Sequence, residues 1–466
     1  MSSDQDAKVA RSRGRYRAAR GAFAVLLGTL VVPLDSAVNV DFPFITRHFG
    51  LPIPLIQWIV ISYTLTSSSL LLVFGRAADI LGHRRVFLVG CGWSALAFVV
   101  CALAPSYPWL LAGRVLQGVG AGLVLSCGPA LITALYPETQ RARALGLYTL
   151  GFGLGGALGP VLGGVLVARF GWSAVFWARA PIAALGGLVS LTLPAPAAAP
   201  RRDRFDLLGA WLLIIAIGAL LLALNRVRTP LWALLAAGLG GLSLAGFIRQ
   251  ELRTRHPILD LHPFRDFGFS LATIGNTLLN LVGFAVLLLV PFQLARMPGL
   301  STVVSGLLLA ALPAGVMLAG PIAGRLASRV PSAALMAAGA AFVSAGLTGI
   351  AAFPARAGAL AGMMMLAGLG LGAFQVAFFD VLTGAMPARN RGVAGSLGML
   401  TRTLGLVTGA TVLMAVFQAS RTGAALRGLD PAAAFSVGFR ETFELAAALP
   451  VLLIAADLLR RAVRRS

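Results

Sequence analysis

Apolar stretches of roughly 20 residues, the length needed to cross about 30 Å of hydrocarbon, follow one another along almost the whole chain. Turn or charge signals separate them. They predict membrane-spanning helices near 21–41, 55–75, 86–105, 109–135, 144–168, 172–193, 207–225, 231–249, 268–293, 302–323, 333–353, 357–381, 392–417 and 440–460. That makes fourteen spans. Residues 1–20 read as a basic arm without a cleavable apolar core, and the first span as its own insertion signal.

The polar positions set the orientation. With both ends of the chain on one side, the segments on that side carry 26 Lys and Arg and those on the other side 9. The positive-inside rule therefore places both termini in the cytoplasm.

Sliding the chain on itself reveals a repeat. A shift of 249 lays Gly75-Arg76-Ala77-Ala78-Asp79 on Gly324-Arg325-Leu326-Ala327-Ser328. A shift of 250 lays Gly118, Gly120, Gly122, Pro137, Arg141, Gly155 and Gly159 on Gly368, Gly370, Gly372, Pro387, Arg391, Gly405 and Gly409. Six spans recur in the same orientation, which predicts halves at 21–193 and 268–460. Between them, 194–267 holds a connector and two inserted helices, and 461–466 is a cytoplasmic tail. Parallel repeats of this kind place a binding site near the midplane, where the halves face each other, and imply alternating access by rocking.

Composition agrees: 58% of residues are hydrophobic, 12% are charged, and mean hydropathy is +0.87. Soluble domains carry about twice that charge. The net charge of +22 is spread over loops rather than along one stripe, so no nucleic-acid partner is expected. Lys8 is the only lysine, which excludes a lysine-containing phosphate loop and Schiff-base chemistry on this chain. Cys91, Cys101 and Cys127 fall in apolar runs and read as buried hydrophobes rather than metal ligands or disulfides. No metal, no cofactor and no enzymatic site are expected. The preference for arginine over lysine, with abundant alanine and glycine, suggests a bacterial source and its cytoplasmic membrane.

Charge inside spans is costly and usually functional. Asp35 and Arg114 lie about equally deep, roughly 8–9 Å from the outer ends of their spans. Asp35 is read as a proton carrier balanced by Arg114, or as half of a permanent ion pair. Asp41 sits at the outer edge of the first span, where a solvated helix end is the simpler reading and a supporting charge site the other. Arg179 is expected to snorkel outward. Arg402, close to the midplane, either faces the cavity or caps polar groups within the second half. Asp380 lies near an inner helix end. Asn276 and Asn280 share one helix face, and Phe374, Gln375, Phe378 and Phe379 cluster on another span, a wall suited to amphipathic aromatics.

The motifs resemble those of the major facilitator superfamily, specifically its fourteen-span drug:proton antiporter branch. The loop signature between helices 2 and 3 matches at Gly75, Asp79, Gly82, Arg84 and Arg85. The helix 4 signature matches at Arg114, Gln117, Gly118 and Gly120, and the antiporter signature of helix 5 at Gly155, Gly159, Pro160, Gly163 and Gly164. Leu34 to Val40 resembles the first-helix pattern, and Gln57, Trp58 and Tyr63 the second. The chain departs from the pattern at Asp41, at Arg179 where asparagine is common, and at Ser328 where the second-half loop would carry aspartate. Helix 10 has no acid, which argues against divalent cationic substrates.

The resemblance implies an all-α integral membrane protein of the major facilitator fold, two six-helix bundles in pseudo-twofold relation plus two inserted helices. It implies a monomer that exchanges protons for lipophilic or amphipathic small molecules: drugs, antibiotics or self-made metabolites. A symporter or facilitator for one metabolite remains the alternative. In the export reading, Asp35 and Arg114 couple the proton, while Asp41, Asp380 and Arg402 are secondary charge sites. Trp58, Tyr63, Gln117, Asn276, Asn280, Phe374, Gln375 and Phe378 line the cavity. Gly75, Arg76, Asp79, Gly82, Arg84 and Arg85 form a cytoplasmic latch, and Gly155, Gly159, Pro160 and Gly163 an antiporter helix that seals the halves.

Overall fold

The computed structural model describes residues 20–136, 140–193, 206–225, 230–254, 262–327, 329–385 and 391–463. Most of the arm at 1–20, the start of the connector, Ser328 and the tail after 463 lie outside these residues. Among the described residues every long element is a helix. Bilayer hydrocarbon leaves no alternative for an open chain, because each backbone N–H and C=O must be satisfied within the span.

Helix α1 runs Arg20–His48 and passes through a 3-10 turn at Pro33–Ala37. There follow α2 (Gln57–Leu81), α3 (His83–Ala102), α4 (Tyr107–Ala134), α5 (Arg141–Phe170) and α6 (Ala174–Ser190). The inserted pair is α7 (Leu207–Asn225) and α8 (Pro230–Arg253). The second set is α9 (Phe267–Leu294), α10 (Thr302–Leu326, in two pieces), α11 (Ser332–Ala352), α12 (Ala357–Gly384), α13 (Arg391–Leu426) and α14 (Pro431–Val463). Among the described residues, twelve helices are long and apolar enough to cross a membrane, and shorter apolar helices stand at Ala174–Ser190 and Leu208–Leu220. The segment 419–438, which the predicted spans leave as a loop, is instead mostly helical, because α13 continues to Leu426 and α14 begins at Pro431.

Tight reversals use glycine where the backbone demands it. Gly82 ends α2 at φ +93° and Gly171 ends α5 at φ +81°, conformations that cost a residue with a Cβ. Asp266 and Ser301 cap α9 and α10 by accepting from the backbone N–H of Phe269 and Val304.

The repeat seen in the sequence has a structural meaning: the same glycines make the same helix contacts in both halves. In α4, a Cβ at Gly118 or Gly122 would meet α2 at the carbonyls of Tyr63 and Ser67, and one at Gly120 would meet α3 at Ser94. In α12, Gly368 and Gly372 abut α10 at Leu312 and Val316, and Gly370 abuts α11 at Gly339. Gly155 and Gly159 seat α5 on α1, and Gly405 and Gly409 seat α13 on α9. Small residues let membrane helices approach this closely, since dispersion rather than water exclusion drives their packing.

The two sets of helices meet on the side away from the chain termini. Gly164 of α5 lies against Thr302 and Gly306 of α10, and the carbonyl of Pro160 points at Gly306. The Val38–His48 part of α1 packs on α9. Halfway along the bundle, Ser68 of α2 and Thr403 of α13 share a hydrogen bond of 2.6 Å. The inserted α7 touches both α2 and α13 at this seam.

Candidate functional site

One carboxylate organises the interior of the first half. The 3-10 turn at Pro33–Ala37 breaks α1 and places Asp35 inward; Ser36 fixes the turn by donating to the carbonyls of Pro33 and Gly156, each at 2.9 Å. Arg114 on α4 meets Asp35 in a two-pronged pair, Nη1 to Oδ1 at 2.6 Å and Nη2 to Oδ2 at 2.7 Å. Its Nε donates to the Ile59 carbonyl at 2.8 Å, and its guanidinium lies 4.5 Å from the centre of the Tyr63 ring. Gln117, one turn along α4, donates to Asp35 at 2.9 Å and accepts from Arg114 at 2.6 Å. The equal depth of Asp35 and Arg114 in the sequence thus corresponds to direct contact.

Arg179 overturns its expectation. Rather than snorkelling outward, it is 3% exposed and donates to Asp35 Oδ1 at 2.7 Å. Its cation rests 4.6 Å from the Phe98 ring and 5.3 Å from that of Phe176. A desolvated cation over an aromatic face gains about 2 kcal/mol. That gain, added to a carboxylate within reach, exceeds what a stretch to the interface would offer. Asp35 therefore faces two arginines, and with 14% of its side chain exposed it is more open than either of them, at 0% and 3%.

Asp41 also differs from the solvated end expected for it. Helix α1 continues to His48, beyond the expected end at 41, and Asp41 is 0% exposed with both carboxylate oxygens buried and without a hydrogen-bond partner.

Across the seam, Arg402 is exposed although its neighbours Thr401 and Thr403 are buried, and it acts electrostatically on Tyr63 of the first half. It forms no ion pair among the described residues.

The remaining residues divide between the seam and the interior of one half. Trp58 is half-buried beside the core, and Tyr63 is buried under Arg114. Asn276 donates to Thr401 at 2.8 Å, which ties α9 to α13, and Asn280 donates to the Asn276 carbonyl at 2.8 Å within α9. Phe374, 1% exposed, packs against Gly275 of α9; Phe378 is equally buried, and Gln375 is half-buried. Ser332 donates to Asp380, which links α11 to the end of α12. At the expected latch, Arg84 donates to the carbonyls of Ser190 and Leu191, closing the end of α6 within its own half. Gly75 has open space where a Cβ would stand. The side chains of Arg76 and Asp79 lie outside what the structure describes.

A family model described as Major Facilitator Superfamily matches residues 25–410. The multidrug resistance protein Stp of Mycobacterium tuberculosis is 32% identical over 84% of this chain and 74% of its own. The tetracenomycin C resistance and export protein of Streptomyces glaucescens is 32% identical over 86% and 76%. The riboflavin transporter RibZ of Clostridioides difficile is 27% identical over 85% and 88%. Among solved structures, the POT family transporter PepTSo superposes with a TM-score of 0.70 over 95% of this chain and 98% of that one, at 13% identity.

Proposed function

The chain belongs to the major facilitator superfamily, and on that premise we propose that it exports lipophilic or amphipathic small molecules in exchange for protons entering through Asp35. The observation that carries the proposal is Asp35 itself, a membrane-depth carboxylate held by two arginines and still 14% exposed. A proton arriving there removes the negative charge that both guanidinium groups share, which weakens contacts among α1, α4 and α6 and favours another packing of the halves. Relatives named for drug resistance and for export support the outward direction of cargo.

The energetics suffice. One proton crossing about 100 mV and one pH unit releases roughly 2.3 plus 1.4 kcal/mol, enough for a gradient of a few hundredfold. With the termini in the cytoplasm of a bacterial inner membrane, contacts on the opposite side correspond to a state closed outside. In this reading residues 21–193 and 268–460 rock as two units, and the protein acts as a monomer.

Among the described residues near the seam, the Asp35 carboxylate is already bound, while Arg402 is exposed and in no ion pair. Compounds with a carboxylate or another acidic group gain from Arg402, and neutral aromatics are tolerated. Arg402→Gln is expected to raise the apparent KM for an anionic compound about tenfold or more, the value of one charged hydrogen bond, without changing that of a neutral one. Equal effects on both compounds would remove Arg402 from the binding site. Export is tested in cells expressing the protein: accumulation of the compound should fall, and an uncoupler that collapses the proton gradient should restore it. Accumulation that rises with expression would favour the uptake reading that the riboflavin relative suggests.

A further inference from the structure

A second acid lies on α1 six residues beyond the first. Asp41 is fully buried, neither of its oxygens has a donor, and Nη2 of Arg179 is likewise buried without a partner. Arg179 is near enough to act on Asp41 electrostatically. The other charged groups around this stretch are Asp35 on the adjoining turn and Arg47 and His48 at the exposed end of α1. Helix α5, which also packs here, carries Arg141, Arg143, Tyr148 and Arg169. The packed faces of α9, Thr302–Leu309 and Ile53–Ile56 bring no ionisable residue.

An ionised carboxylate in such a place, with no donor, costs far more than the neutral acid, so Asp41 holds its proton in this arrangement. Arg179 meanwhile has one charge and two possible carboxylates. It reaches Asp35 through Nη1 and leaves Nη2 idle. If Asp35 becomes neutral, Arg114 keeps the Ile59 carbonyl and Gln117, but Arg179 keeps only the Val175 carbonyl and its two aromatic rings. A buried guanidinium stripped of its counter-ion is unstable, and Asp41 is the other acid on the same helix.

Resting on the proton-exchange reading above, we infer that Asp41 is a second proton-carrying site, and that Arg179 pairs with Asp35 and Asp41 in alternation. A proton entering from outside is held at Asp41. On transfer, the O–H bond at Asp41 breaks and one forms at Asp35, while the Arg179 guanidinium stays charged and moves the other way. Asp35 then releases the proton to the cytoplasmic side and Asp41 takes another from outside, so the pair relays one proton per cycle. Arg179 is a positioning residue in this scheme.

The test compares native protein with Asp41→Asn in proteoliposomes, reading proton-driven export across a pH series and proton-independent counterflow of the same compound. The relay predicts that Asp41→Asn slows proton-driven export at least about tenfold and alters its pH profile, that counterflow is kept, and that Asp41→Glu recovers part of the loss. Loss of both activities together, or retention of both, would overturn it. Should Asp41→Asn fail to reach the membrane, infrared difference spectra of native protein on addition of a transported compound decide instead. The relay requires one protonated-carboxyl signal to vanish and another to appear, and no such signal would overturn it. Native protein that shows counterflow but no coupled proton movement would overturn the proton-exchange reading and the relay with it; native coupling with an unaffected Asp41→Asn would overturn the relay alone.

Discussion

Asp35→Asn is expected to abolish proton-driven export while leaving a folded protein that still binds and exchanges its compound. The amide keeps the shape of the carboxylate and one acceptor oxygen, so Gln117 and one arginine retain a hydrogen bond. It cannot bind and release a proton. It also strands two buried cations, Arg114 at 0% and Arg179 at 3% exposure, on a neutral partner. Removing one member of a buried pair costs about 3–5 kcal/mol, so the variant should melt at a lower temperature than the native protein. Export driven by a pH gradient should fall to the level of vesicles without the protein, and counterflow should persist at a reduced rate. If export survives and only thermal stability falls, the cluster is structural.

Gly164→Val is expected to have the second largest effect. A Cβ at position 164 would lie 2.7 Å from the carbonyl oxygen of Thr302 and 3.2 Å from the Cα of Gly306, both backbone atoms of α10 across the seam. Neither can swing aside as a side-chain end would. Overpacking of this kind costs about 1–3 kcal/mol and falls only on the state in which the outer side is closed. That corresponds to a population change of about 5- to 150-fold toward the opposite state. Transport should drop, and proteoliposomes should lose an imposed pH gradient faster when no compound is present. Gly156→Ala is the control, because a Cβ there meets nothing within 4 Å. A Gly164→Val protein that transports and holds protons like the native one would show that the seam does not gate.

The fold was legible because lipid removes most choices. Long apolar runs must be helices, and the glycines repeating at a shift of 250 mark where helices approach. The Asp35–Arg114 contact followed from depth alone. The same reasoning applied to Arg179 would have found the third member, since it lies about seven residues into its span, close to the depth of Asp35. Assuming a snorkelling arginine hid it, and nothing in spacing announces Phe98 and Phe176 beneath the cation. Asp41 was misread because the apolar run fades near residue 41 whereas the helix runs on to His48, so a helix interior looked like an end. The wall of amides and aromatics was seen as a cluster, but its direction was not legible: Asn276, Asn280 and Phe374 use their side chains within the second half. A face shared in sequence does not say which neighbour it meets.

Exchange of a proton for a compound at Asp35 is the central step of transport proposed for this protein. In energised inside-out vesicles, a pH-sensitive dye reports proton movement as lipophilic cations, neutral antibiotics, zwitterions and weak acids are added in turn, with native and Asp35→Asn proteins side by side. The account predicts that at least one compound releases protons from native vesicles and none does so from the variant. Proton release of equal size from both would contradict it.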